Sequence, residues 1–152
     1  MKITMKKAQN YLFILWSASG IVIFLLIIIG IIFGKYDENE NVVVGWFLTT
    51  IMPILSLIIA VIYTKGQKEK ELNQASESTL PPKLVDNSLF LGTFILSCVY
   101  LLIALGILLL SPLLFHLQLK TPIEIIKSSH VYLGVLQTVT TATLGYFFVK
   151  EE

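Results

Sequence analysis

His116, His130 and Cys98 are the side chains of this 152-residue chain best suited to bind a transition metal or to act as base and nucleophile. A structural or catalytic zinc needs three or four ligands at close spacing, and no third or fourth ligand accompanies the two histidines. Cys98 is the single cysteine, so it has no partner for an internal disulfide or a thiolate cluster. Serines and threonines occur in the long apolar stretches, but those stretches hold no His, Lys, Asp or Glu to activate a hydroxyl. No catalytic residue, metal or cofactor is therefore expected, and the chain reads as non-enzymatic. All eleven basic residues are lysine, so sites that need a guanidinium fork are also excluded. A formal net charge of +1 argues against a nucleic-acid partner.

The remaining chemistry is uncharged polarity. Gln137, Thr138, Thr140, Thr141 and Thr143 crowd into one apolar stretch. Gly134, Thr138 and Ala142 stand four residues apart, as do Gln137, Thr141 and Gly145, so both rows lie along a helix surface. Thr49, Pro53 and Ser56 share a face in another stretch, where Pro53 should kink the helix and free a backbone carbonyl. In hydrocarbon, such faces pack against helices or line a wet path. Gly134, Gln137, Thr138, Thr141, Gly145, Thr49, Pro53 and Ser56 are thus the candidate pore or helix-packing face. Ser17, Ser19, Gly20 and Gly30-x-x-x-Gly34 supply further small residues, and Gly92, Ser97, Cys98 and Gly106 a last set.

These residues need elements to carry them. Hydrophobic residues make up 55% of the chain and charged residues 14%, with mean hydropathy +0.81. A soluble domain carries about 25% charge. Four uncharged apolar runs cover 11–33, 43–63, 88–110 and 131–149. About 20 helical residues cross a hydrocarbon core of about 30 Å. The expected fold is one all-α membrane domain, residues 1–152: four transmembrane helices in an antiparallel bundle, with a short interfacial helix before the fourth.

The first run is too long for a cleaved signal and reads as a signal anchor. Lys2, Lys6, Lys7, Lys65, Lys68, Lys70, Lys83 and Lys150 outweigh Lys35, Lys120 and Lys127 on the opposite side. Both termini and the 64–87 loop are then cytoplasmic by the positive-inside rule. Tyr11, Tyr63 and Tyr146 should mark the inner interface, and Tyr36, Trp46 and Tyr132 the outer.

The connections carry local signals too. Residues 34–42 form a short acidic turn with Asp37, Glu38 and Glu40, which forces the first two spans into a hairpin. Lys65 to Glu71 should extend the second helix beyond the membrane, until Pro81-Pro82 ends any helix. Asp86, Asn87 or Ser88 caps the third span, and Ser111-Pro112 should stop it. Thr121-Pro122-Ile123-Glu124 matches a helix start, with Thr as N-cap, Pro at N1 and Glu at N3.

Gly45-Trp46-Phe47-Leu48, Met52-Pro53-Ile54-Leu55-Ser56-Leu57 and Leu133-Gly134-Val135-Leu136-Gln137 resemble small four-span bacterial inner-membrane proteins of unknown function. The isoleucine- and lysine-rich composition also points to an A/T-rich bacterial genome. The functional expectation is a non-enzymatic inner-membrane protein that self-associates or joins a membrane complex. Its specific form is a pore-forming or membrane-perturbing effector, governed by a cytoplasmic partner at the 64–87 loop. The alternative is a scaffold or accessory subunit, followed by a small-molecule or lipid transporter.

Overall fold

The structure is a computed structural model that describes residues 2–36, 39–75, 84–116 and 121–148. Asp37 and Glu38 of the acidic turn, Pro81-Pro82, Lys83, Lys120 and Lys150 lie outside the described residues. The elements run β1 (Lys2–Thr4), α1 (Met5–Ile32), α2 (Glu40–Thr50), α3 (Met52–Ala75), β2 (Leu84–Asp86), α4 (Asn87–His116) and α5 (Pro122–Phe148). Three helices, α1, α4 and α5, are long and apolar enough to cross a membrane. Helix α2 and the Met52–Thr64 part of α3 are apolar enough together to form a broken span or a re-entrant loop, with a bend of 43° between them.

Strands β1 and β2 are the departure from a purely helical expectation. They pair antiparallel, Ile3 opposite Val85, and so set the starts of α1 and α4 side by side. Asp86 then accepts a hydrogen bond from the Ser88 backbone N–H at 3.3 Å, the cap foreseen at this position. At the same end, Gln9 of α1 donates through Nε2 to the carbonyl of Phe147, one of the orphaned acceptors at the end of α5. The first and last described turns of the chain are therefore neighbours.

Helix α1 ends as local chemistry dictates. Gly34 adopts φ +65°, its N–H bonds to Ile31 O at 2.9 Å, and Lys35 N–H reaches back to Gly30 O at 2.9 Å. This is a Schellman termination with Gly34 in the left-handed position. Gly30 has a separate use. A Cβ there would stand 2.6 Å from the Tyr36 ring, which folds back over the helix and is 2% exposed. Tyr36 and Trp46 are thus core residues, whereas Tyr132 is 70% exposed. Tyr36 turns inward because the Schellman turn reverses the chain directly over a helix surface that lacks a side chain.

Two boundaries differ from expectation. Helix α4 does not stop at Ser111-Pro112 but continues to His116. Helix α5 is one 27-residue helix, so the separate interfacial helix does not exist. Its start is the reciprocal cap read from the sequence: Thr121 N–H to Glu124 Oε2 at 3.0 Å, and Glu124 N–H to Thr121 Oγ1 at 3.3 Å. No proline follows Pro122 in it, and Ile126, Ser129 and Leu133 carry one buried stripe across the expected joint. Nothing local ends the helix there, so it runs on.

The core holds Trp16, Trp46, Tyr100, Phe147, Leu12, Ile23, Ile54 and Ile58 together with buried Thr140, Ser97 and Ser129. The outside carries Ile21, Phe24, Leu102, Val131 and Val135 exposed. An apolar exterior around a core containing hydroxyls is the inverse of a water-soluble surface.

Candidate functional site

Pro53 has no N–H, so the carbonyl four residues earlier, Thr49 O, loses its helical donor. The chain responds by breaking at Ile51, between α2 and α3. Two side chains from other helices reach the exposed backbone. The Tyr100 hydroxyl of α4 donates to Thr50 O at 2.8 Å, in the interior. Gln137 of α5 donates through Nε2 to Thr49 O at 3.3 Å, at the surface. The Phe90–Phe147 contact, 6.4 Å between centroids, sets the antiparallel level of α4 and α5. Ten residues further along each helix stand Tyr100 and Gln137, level with one another. Tyr100 is further held by Trp16, with ring centroids 5.5 Å apart.

The second span is also anchored above the break. Trp46 Nε1 donates to Ser129 Oγ at 2.9 Å, and Ser129 Oγ donates onward to Ile126 O at 2.7 Å. Both roles of that hydroxyl are spent. Thr49 Oγ1 bonds its own helix at Gly45 O, 2.9 Å, and Trp46 O, 3.2 Å.

Pro112 presents the same problem in α4, where Leu108 O is orphaned. Lys35 Nζ, from the turn after α1, donates to Leu108 O at 2.9 Å, and Ser111 Oγ donates to it at 3.1 Å. The ammonium also lies 5.1 Å from the centroid of the Tyr36 ring. Burial lowers the Lys35 pKa from its ordinary value and raises that of Tyr36, because each charged form loses solvation.

The candidate residues from the sequence divide accordingly. Thr49, Pro53 and Gln137 come together at the break. Ser56 is exposed on α3, below it. Gly134 and Thr138 point outward with Ala142, while Thr141 and Gly145 are half-buried on the flank. A Cβ on Gly134 would meet nothing within 4 Å. Thr138 Oγ1 bonds Gly134 O at 3.0 Å, Thr140 Oγ1 bonds Leu136 O at 2.7 Å and Thr143 Oγ1 bonds Thr140 O at 2.9 Å.

Tyr100, Ser129, Lys35 and Gln9 are the residues that the sequence did not mark. A proline four residues after a carbonyl is a signal that a donor is needed, and it carries no information on which helix provides it.

Among the described residues, no three His, Cys, Asp or Glu side chains gather as metal ligands. Trp16 Nε1 and Ser97 Oγ are buried polar atoms with no hydrogen-bond partner among the described residues. The arrangement thus supports hydrogen-bonded closure of proline-opened backbone and, on α5, an uncovered face of small residues. Comparison with known protein families, curated proteins and solved structures finds no match to this chain.

Proposed function

We propose that the protein is a non-enzymatic, four-span protein of the bacterial inner membrane that self-associates or joins a membrane complex through the outer face of α5. The observation that carries this reading is the exposed row Gly134, Thr138 and Ala142, with open space at Gly134. Small residues one turn apart let a second helix approach closely, which is how helices associate where no hydrophobic force separates them from lipid. Both termini and the 64–87 segment are cytoplasmic in this reading, in line with the lysine distribution. A soluble partner would engage that segment.

The hydrogen bonding favours a scaffold or accessory subunit over a conducting one. Gln137, Thr138, Thr140 and Thr143 each spend a donor inside the protein. A pore built from these side chains would have only their remaining acceptor groups and one Gln137 N–H to offer to water, and Thr140 is buried. The outward, half-buried Gln137 amide is the feature that keeps the pore-forming effector as a second reading.

The test is Gly134→Leu, which fills the open space without touching the core. Crosslinking and subunit counting in native membranes should show loss of the oligomer or complex, with the monomer intact. An unchanged assembly overturns the α5 interface. Membrane potential in cells expressing the wild type separates the two readings: no depolarisation fits the scaffold, and depolarisation abolished by Gln137→Leu fits the pore.

A further inference from the structure

Helices α1 and α4 leave the β1–β2 ribbon side by side and run in the same direction. Ring contacts join them at two levels: Tyr11–Phe90, 6.3 Å between centroids, and Trp16–Tyr100, 5.5 Å. Between them lies a groove of about 320 Å³, whose walls include Leu15, Ala18, Ser19 and Val22 of α1 and Cys98 and Leu102 of α4. Ala18, Ser19 and Cys98 are short side chains, and the gap opens where they stand in place of larger ones. The groove faces outward rather than into the core, since Val22 is 48% and Leu102 66% exposed.

Membrane hydrocarbon or another helix can fill such a groove, and the charge above it distinguishes the two. Lys7, Tyr11, Leu15, Ala18 and Val22 follow at intervals of four, four, three and four residues, so they share one face of α1. Lys7 is exposed at the top of that face. Asp86, an acid in the neighbouring ribbon, stands opposite Lys2 and accepts the Ser88 N–H. A second copy inserted in the same orientation would set its own Lys7 at the level of this one, and like charges brought together oppose association. A lipid phosphate is attracted instead. The lengths agree as well. At 1.5 Å per residue, Leu15 lies about 12 Å and Val22 about 22 Å along the helix from Lys7. One leaflet with its headgroups is about 21 Å deep. A chain hung from a phosphate at Lys7 therefore passes Tyr11 and ends within the groove.

We propose that the α1–α4 groove binds one acyl chain of an anionic phospholipid, with Lys7 paired to the headgroup phosphate. The site belongs to a single copy of the protein. It rests on α1 and α4 crossing the membrane, not on the α5 interface.

The test uses Trp16, which is buried beside the groove and flanked in sequence by its wall residues Leu15 and Ser19. Trp46→Phe leaves it the sole tryptophan. The full-length protein is placed in phosphatidylcholine nanodiscs with a rising fraction of phosphatidylglycerol brominated at mid-chain, since bromine quenches an indole only at close range. Quenching of Trp16 should saturate at a low phosphatidylglycerol fraction. Bromine carried on phosphatidylcholine should be needed at about fivefold larger fraction, the worth of one surface lysine. Lys7→Gln should abolish that preference, and Lys127→Gln, exposed on α5, should leave it unchanged. Ala18→Leu, which fills the groove, should remove the saturable quenching with either headgroup. Native mass spectrometry reads the same site without removing Trp46: the wild type should retain one phosphatidylglycerol that Ala18→Leu loses. Equal quenching by the two headgroups, or saturable quenching that survives Ala18→Leu, would overturn the proposal. So would a Cys98–Cys98 crosslink between copies in native membranes, because a second helix would then occupy the groove. Protein that fails to insert into lipid would overturn the four-span reading itself, whereas inserted protein with unquenched Trp16 overturns the lipid site alone.

Discussion

Pro53 and Pro112 open the same defect in two helices, and the helices respond differently. Each removes one N–H and orphans the carbonyl four residues before it. At Pro112 the relief is concentrated on that single carbonyl: Leu108 O takes both Ser111 Oγ, from the same helix, and Lys35 Nζ. Helix α4 stays continuous. At Pro53 the donors come from two other helices and reach two successive carbonyls, Thr49 O and Thr50 O. The helix breaks at Ile51 and turns by 43°. A proline in an apolar helix is thus not by itself a kink. The position of the replacement donors decides whether the backbone needs to open to meet them.

The comparison breaks most readily at Tyr100. Tyr100→Phe keeps the ring against Trp16 and leaves Thr50 O without its buried donor. An unsatisfied buried acceptor should cost about 1.5 kcal/mol, measured by reversible unfolding in mixed micelles. A loss below a few tenths would mean that the break is held by packing alone.

The continuous helix is next. Lys35→Met removes the ammonium while Ser111 Oγ still covers Leu108 O, so the loss should be about 1 kcal/mol. Adding Ser111→Ala strips the carbonyl of both donors, and the double variant should lose more than the two singles together. Such a cycle measures whether the two donors substitute for one another. Strict additivity would show that the two donors act independently on Leu108 O.

A smaller effect attaches to Gln137→Leu, about 0.6 kcal/mol in the same unfolding assay. Its bond is long and superficial. The smallest change is in the thermodynamic coupling of Gln137→Leu with Pro53→Ala. Once residue 53 can donate to Thr49 O, the cost of losing Gln137 should fall within error of zero. A cost that persists in the Pro53→Ala background would show that Gln137 acts somewhere other than on Thr49.

Much of the local structure was legible in residue order. The Thr121–Glu124 cap, the Asp86 cap and the break near Pro53 all follow from groups within a few residues of each other. So does the extension of α3 beyond Tyr63, where lysines and glutamates continue a helix with no proline. The failures have an equally physical origin. The Ser111-Pro112 stop and the separate interfacial helix treated local signals as decisive. A donor from a distant segment overruled the first, and the second lacked any residue to end the helix.

The candidate site was half visible. Pro53 announces an orphaned carbonyl, and Gln137 is conspicuous as an amide in an apolar run. Their meeting was not readable, since 88 residues separate Gln137 from Thr49, 73 separate Lys35 from Leu108 and 50 separate Tyr100 from Thr50. Nor did the order of residues reveal that Gly134, Thr138 and Ala142 face outward while Gly30 receives a tyrosine ring. Spacing shows which residues share a face but not which way the face turns. Composition and local hydrogen-bonding capacity determined where the apolar helices lie and how α4 and α5 start, because those terms act within one or two turns. Packing alone decided the β1–β2 ribbon, the donors for each opened carbonyl and the side of α5 left uncovered, because these depend on which distant surfaces the helices bring together.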